Sequence, residues 1–118
     1  MKYMLLIYGN QEVWNSFAGE MDQVIKETEA LQKELRGTGE FISAYGVADQ
    51  VDAKTVRLQD GLPVVSDGPY LEAKEYLGSI DLIECASLER ALEIAGRVPF
   101  ARYGSVEVRP LTGESDSN

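Results

Sequence analysis

Lys2-Tyr3-Met4-Leu5-Leu6-Ile7-Tyr8-Gly9 decides the fold of this 118-residue chain. Tyr3 to Tyr8 is a continuous apolar run, of a length that suits one strand. Successive side chains of a strand point to opposite faces, so Tyr3, Leu5 and Ile7 share one side and Met4, Leu6 and Tyr8 the other. Both sides are apolar. A strand of this kind is covered on both faces. Gly9-Asn10 ends it.

Outward from this strand, Met21, Val24, Ile25, Thr28, Leu31 and Leu35 recur at helical spacing. Ser16 is the expected N-cap, Glu20 and Asp22 suit the positive end of the helix dipole, and Gly37 is the expected stop. Phe41 to Val47 reads as a second strand. Thr55–Leu58 and Leu62–Val65 flank Asp60-Gly61 as a hairpin, which Pro63 assigns to a sheet edge because proline has no N–H to donate. Leu77 to Cys85 forms a further strand, with Ile80 and Leu82 on one side and Ile83 and Cys85 on the other. Ser87 caps a second helix carrying Leu88, Ala91, Leu92 and Ala95, and Pro99 ends it. Ser105 to Arg109 alternates, with Val106 and Val108 inward.

The order is β-α-β, an inserted β-hairpin, then β-α-β, which is the ferredoxin-like split βαβ plan of an α+β protein. Right-handed crossovers place both helices on one face of the sheet. The other apolar face needs its own cover, and two sheets packed face to face in a homodimer supply it. The expectation is a dimeric α+β barrel. One domain over residues 1–111 is expected, with a polar flexible tail over 112–118.

The formal charge is −9, and no run of Lys or Arg appears, so neither nucleic acid nor an anionic membrane is expected as a partner. Cys85 is the only cysteine, which forbids an intrachain disulfide and fits a reducing compartment. It has no basic neighbours in sequence and reads as an inert buried thiol. There is no histidine, which removes the commonest transition-metal ligand and the usual neutral-pH base. The first residues lack the length and cleavage site of a signal peptide, and nothing reaches the ~20 apolar residues of a membrane span. A cytoplasmic protein is expected. No phosphate loop, zinc spacing or Ser/His/Asp arrangement is present, so neither cofactor nor metal is expected.

Ser66-Asp67-Gly68-Pro69-Tyr70-Leu71-Glu72-Ala73-Lys74-Glu75 combines a rigid turn, an aromatic ring and a charged cluster beyond what a hairpin requires. Asp67 is the candidate catalytic residue, a general acid or base if burial raises its pKa. The simpler account is an Asx-turn that satisfies the following backbone N–H groups. If the stretch is extended, Glu72 and Lys74 share a side, where Lys74 can hold an anion that Glu72 orients. A solvated edge with weak ion pairs explains them equally. Tyr8, Tyr45 and Tyr70 are candidate pocket donors or half-buried packing residues. Trp14 either lids a pocket or staples the start of the helix. Arg109 is a candidate carboxylate binder, or pairs with Glu107, Asp81 or Glu84.

Three ordered blocks resemble the YCII-related domain family, in its DGPF-motif branch. They are Lys2–Gly9; Asp67-Gly68-Pro69-Tyr70 followed by Glu72, Lys74, Glu75 and Leu77-Gly78; and Ala91–Ala95, Pro99 and Gly104–Pro110. Tyr70 stands where the branch usually has Phe, Ala73 where Thr is common, and Ser79 where a second Gly is common. The last two changes alter the depth or polarity of a pocket. The resemblance implies a ferredoxin-like dimeric α+β barrel over residues 1 to about 111. The wider superfamily includes members with a His–Asp pair, a chemistry this histidine-free chain does not carry. Association of some members with extracytoplasmic-function sigma factors implies a regulatory setting.

Three functions compete on these grounds. The first is a homodimer that binds a small molecule near Asp67 and Tyr70. The second is an enzyme of the same fold that uses Asp67 as acid or base. The third is a regulatory protein whose acidic surface meets a basic partner.

Overall fold

The computed structural model describes residues 1–113, so residues 114–118 of the expected tail lie outside the described residues. β1 (Lys2–Gly9), β2 (Phe41–Gly46), β5 (Tyr76–Glu84) and β6 (Ser105–Pro110) form one antiparallel sheet in the order β2-β5-β1-β6. β1 and β2 are linked through α1 (Gln11–Ser16) and α2 (Met21–Thr38), and β5 and β6 through α3 (Leu88–Arg97). Each of these crossovers skips a strand, giving the ferredoxin-like α+β arrangement.

The two-faced reading of β1 sets the layers. Tyr3, Leu5 and Ile7 are buried against the helices, while Met4, Leu6 and Tyr8 are half-buried on the opposite side. Directly opposed residues of an antiparallel pair share a face. Ile83 lies opposite Tyr3 and Val108 opposite Leu5, both on the helix side. Leu82 and Ile80 lie opposite Met4 and Leu6 on the open side. The helix side closes with Leu31 and Leu35 of α2 and Ala91, Ile94 and Ala95 of α3. Each large side chain so buried contributes ~1.5–3 kcal/mol of transfer free energy.

The helices begin and turn differently from the sequence expectation. Ser16 is the last residue of α1 and donates through Oγ to the Val13 carbonyl at 2.6 Å. Asn10 caps α1 instead, accepting from the Val13 N–H at 2.8 Å. α2 runs past Gly37 to Thr38, and Gly39, at φ 80, ends it. Ile25 stays exposed, as do Leu88 and Leu92 of α3, where Ile94 takes the inward position. Ser87 does cap α3, accepting from Arg90 N–H at 3.1 Å, and Pro99 opens the 3-10 turn Pro99–Arg102. Arg90 holds both carboxylate oxygens of Glu40 at 2.8 Å, tying α3 to the start of β2.

β3 (Lys54–Gln59) and β4 (Leu62–Asp67) pair only with each other. Asp60 at φ 52 and Gly61 at φ 78 give the tight hairpin turn that Asp-Gly encodes. The hairpin does not extend an edge of the main sheet, contrary to the reading from Pro63. It is a separate arm, with Val56, Leu58, Leu62 and Val65 exposed. No helix among the described residues is long and apolar enough to cross a membrane.

Candidate functional site

The principal hollow is a cleft of about 430 Å³ at one end of the helix side of the sheet. Trp14, Phe17, Met21, Leu77 and Phe100 supply most of its apolar wall, and Asp49, Tyr76 and Ser79 its polar groups. A volume of this order suits a small organic ligand, and a mostly apolar wall with few polar groups is the usual composition of such sites.

Local sequence explains the wall. α1 is six residues long, and Asn10 fixes its start both through the Val13 N–H and by donating its side-chain amide to the Lys74 carbonyl at 3.3 Å. That places Trp14 over the ends of β1 and β5. The indole fits there because Gly9 and Gly78 carry no side chain: a β-carbon on Gly78 would stand 3.0 Å from Trp14 Cζ2. Trp14 meets Phe17 and Phe100 edge-on at centroid distances of 5.8 and 6.1 Å, and Phe17 meets Phe100 at 5.4 Å. Edge-to-face rings at these distances hold one another in place. Of the two sequence readings of Trp14, the wall of a pocket is the one its position matches.

A smaller recess of about 190 Å³ adjoins the cleft and shares Ile7, Gly46, Ser79 and Phe100 with it. Asp81 lines this recess with Thr28, Gln32, Ala44 and Tyr45. It sits on the helix side of β5, opposite the fully buried Leu5. Its side chain has no hydrogen-bond or ion-pair partner among the described residues. Burial alone pushes its carboxyl up from 3.8 to about 6.

The residues selected from sequence fall into separate places. Asp67 ends β4; its carboxylate is largely exposed and accepts from Lys54 Nζ at 2.5 Å. Its partner is therefore a lysine across the hairpin ladder and not the backbone that follows, as an Asx-turn would have it. Beyond it, residues 68–75 form an irregular bend, so the extended geometry that would align Glu72 with Lys74 is not present. Glu72 lines an open hollow of about 410 Å³ with Asp49, Gly68 and Pro69, and Asp67 is not among the lining residues. Lys74 meets the site only through its carbonyl, and Tyr70 is exposed with Arg57 over its ring at 5.8 Å.

Tyr8 and Arg109 come together on the opposite, open face of the sheet. Tyr8 donates to Glu107 Oε1 at 3.0 Å, and Arg109 Nη1 lies 3.3 Å from Glu107 Oε2. Burial, then the hydrogen bond and charge of Glu107, raise the Tyr8 hydroxyl above its ordinary 10.0. Asp81 faces the other way and is not the partner of Arg109. Tyr45 borders the recess around Asp81, but it pairs with Ile80, so its side chain lies on the open face and is exposed. Phe17, Met21, Gly78, Asp81 and Phe100 were not singled out as site residues by the sequence reading. Of these, Asp81 left a signal, since it shares strand parity with the apolar Ile83 and Cys85.

Comparison with known proteins gives the family. The family model of the YCII-related domain matches residues 1–114. An uncharacterized protein of Rhizobium meliloti (strain 1021) is 35% identical over 114 residues, which cover 94% of this chain and 92% of that protein. The chain belongs to the YCII-related domain family.

Proposed function

We propose that this chain is a cytoplasmic small-molecule-binding protein that works as a homodimer. The observation that carries the binding reading is the aromatic-walled cleft of about 430 Å³ beside a recess that holds a carboxyl with no partner among the described residues. The ligand's apolar body lies against Trp14, Phe17 and Phe100, and its polar end points along β5 toward Asp81. The half-buried Met4, Leu6, Ile80 and Leu82 on the far face support the homodimer, because a second sheet would cover them. The bend that follows Asp67 has an anchoring part in this reading. Lys54 holds the Asp67 carboxylate, and Gly68 N–H donates to the Ala53 carbonyl at 2.8 Å, so the loop is stitched to the hairpin.

Catalysis is the second reading, and Asp81 is the residue that favours it. A carboxyl raised to about 6 exchanges protons near neutrality, as a general acid or base must. Backbone amide NMR during a screen of small aromatic compounds tests the binding reading. Shifts centred on Trp14, Gly78 and Ser79 support it. Shifts confined to residues 67–75 would transfer the site to the loop.

A further inference from the structure

We infer that the ligand of the cleft is a small aromatic or aliphatic amine, bound as its ammonium ion with the charge at Asp81 and the apolar body between Trp14, Phe17 and Phe100. This rests on the binding reading above and adds the chemical class. Three observations converge on it.

The first is the sign of charge in the site. Asp49 and Asp81 line the two adjoining hollows, and no Lys or Arg lines either of them. Asp49 is already occupied as a cap, accepting from the Val51 N–H at 2.9 Å. Asp81 has no such partner among the described residues, and Tyr45, paired with Ile80, turns its side chain to the open face, so no other titratable side chain shares the recess. An ionised carboxylate in a half-buried recess gains from a compensating charge or donor, and a bound ammonium supplies both.

The second is the wall. The negative faces of aromatic rings attract a cation, and tryptophan does so most strongly. Trp14 and Phe100, both half-buried, line the cleft beside the Asp81 recess, so a cation entering it meets aromatic surface. An anion would meet the same surface and two carboxyl groups without a counter-charge.

The third is length. Ser79 is shared by both hollows and Asp81 lies two residues further on the same face of β5, about 7 Å away. A ring joined to an ammonium group by a two-carbon chain spans that separation. The overall charge of −9 also concentrates cations near the surface.

Trp14 is the only tryptophan, so its fluorescence reports directly on the cleft. Phenethylamine, its neutral analogue 2-phenylethanol and the anion phenylacetate are titrated at pH 7.5 against the full chain and against Asp81→Asn and Asp49→Asn. The expected result is phenethylamine binding at least tenfold more tightly than the alcohol, and phenylacetate weakest. Asp81→Asn should bring the amine to the affinity of the alcohol and leave the alcohol unchanged, which also shows that the variant is folded. Asp49→Asn, which keeps an acceptor for the Val51 N–H, should weaken the amine less than Asp81→Asn does. Equal affinity for amine and alcohol, tighter binding of the anion, or loss through Asp49→Asn instead of Asp81→Asn overturns the amine assignment while the binding reading stands. No response of Trp14 to any of the three compounds overturns both.

Discussion

A β-carbon on Gly9 would stand 2.5 Å from Cζ2 of Trp14, so the indole rests directly on the bare backbone at the end of β1. Gly9→Ala therefore has to move the ring that forms the cleft wall. Overpacking of this kind costs ~1–3 kcal/mol. Urea denaturation should show that loss, together with a red-shifted tryptophan emission as the indole leaves its place.

Asp81 makes stability depend on pH. Its carboxyl titrates near 6 in the folded chain and at its ordinary 3.8 when unfolded. The folded state thus holds the proton more tightly, and stability falls as pH rises from about 3.8 through 6. The cost is fully present above 6. At ~1.4 kcal/mol per pH unit, Asp81→Asn should be more stable than the parent by up to ~3 kcal/mol at pH 7.5 and equal to it near pH 3.5. Thermal denaturation across that range checks the slope. Combined with lost amine affinity, this would mark Asp81 as a group retained for function at the expense of stability.

Glu40 behaves in the opposite sense. The Arg90 guanidinium, then Thr38, hold its carboxyl at about 2, below its ordinary 4.5. The folded state favours the ionised form, so this contribution is present above 4.5 and lost as pH falls through 2. Arg90→Met leaves the carboxylate without its fork and should lower stability at pH 7. The variant should also lose the part of the acid transition that belongs to Glu40, as read by circular dichroism.

The open face of the sheet gives a test of the homodimer. Light scattering at micromolar concentration should give about 26 kDa, twice the 13.0 kDa chain. Leu6→Asp places a charge at the centre of that face and should reduce the mass to one chain. A parent protein of 13.0 kDa under the same conditions would count against the dimer.

Asp67→Asn separates the loop from the cleft. Removing the Lys54 pair, which is largely exposed, should change stability by only ~0–1 kcal/mol. The fluorescence response to phenethylamine should be unchanged. A fall in affinity matching that of Asp81→Asn would return the binding role to Asp67.

The order of elements and the chemistry of the turns were legible in the chain. Strand alternation, helical spacing, the Asp60-Gly61 turn and the Ser87 cap are short-range features, and each reappears in the structure. The two apolar faces of β1 announced a sheet with helices on one side. Helix ends were read less well, because Ser16 and Gly37 look like punctuation only until packing places α1 and extends α2 to Thr38. The candidate site was harder still. Tyr8, Tyr70, Glu72, Lys74 and Arg109 are chemically suitable, but they lie on different faces or on the loop.

By itself, then, the sequence determined which residues share a side of each strand, including the parity of Asp81 with Ile83 and Cys85. Tertiary structure alone decided what stands over that side. Alternation orders neighbours on one strand, whereas the enclosure of Asp81 depends on α2 and the Phe100 turn, about fifty residues away on one side and nineteen on the other, meeting across the sheet. The same long-range packing brought Trp14 over Gly9 and Gly78 and opened the cleft between them and Phe100.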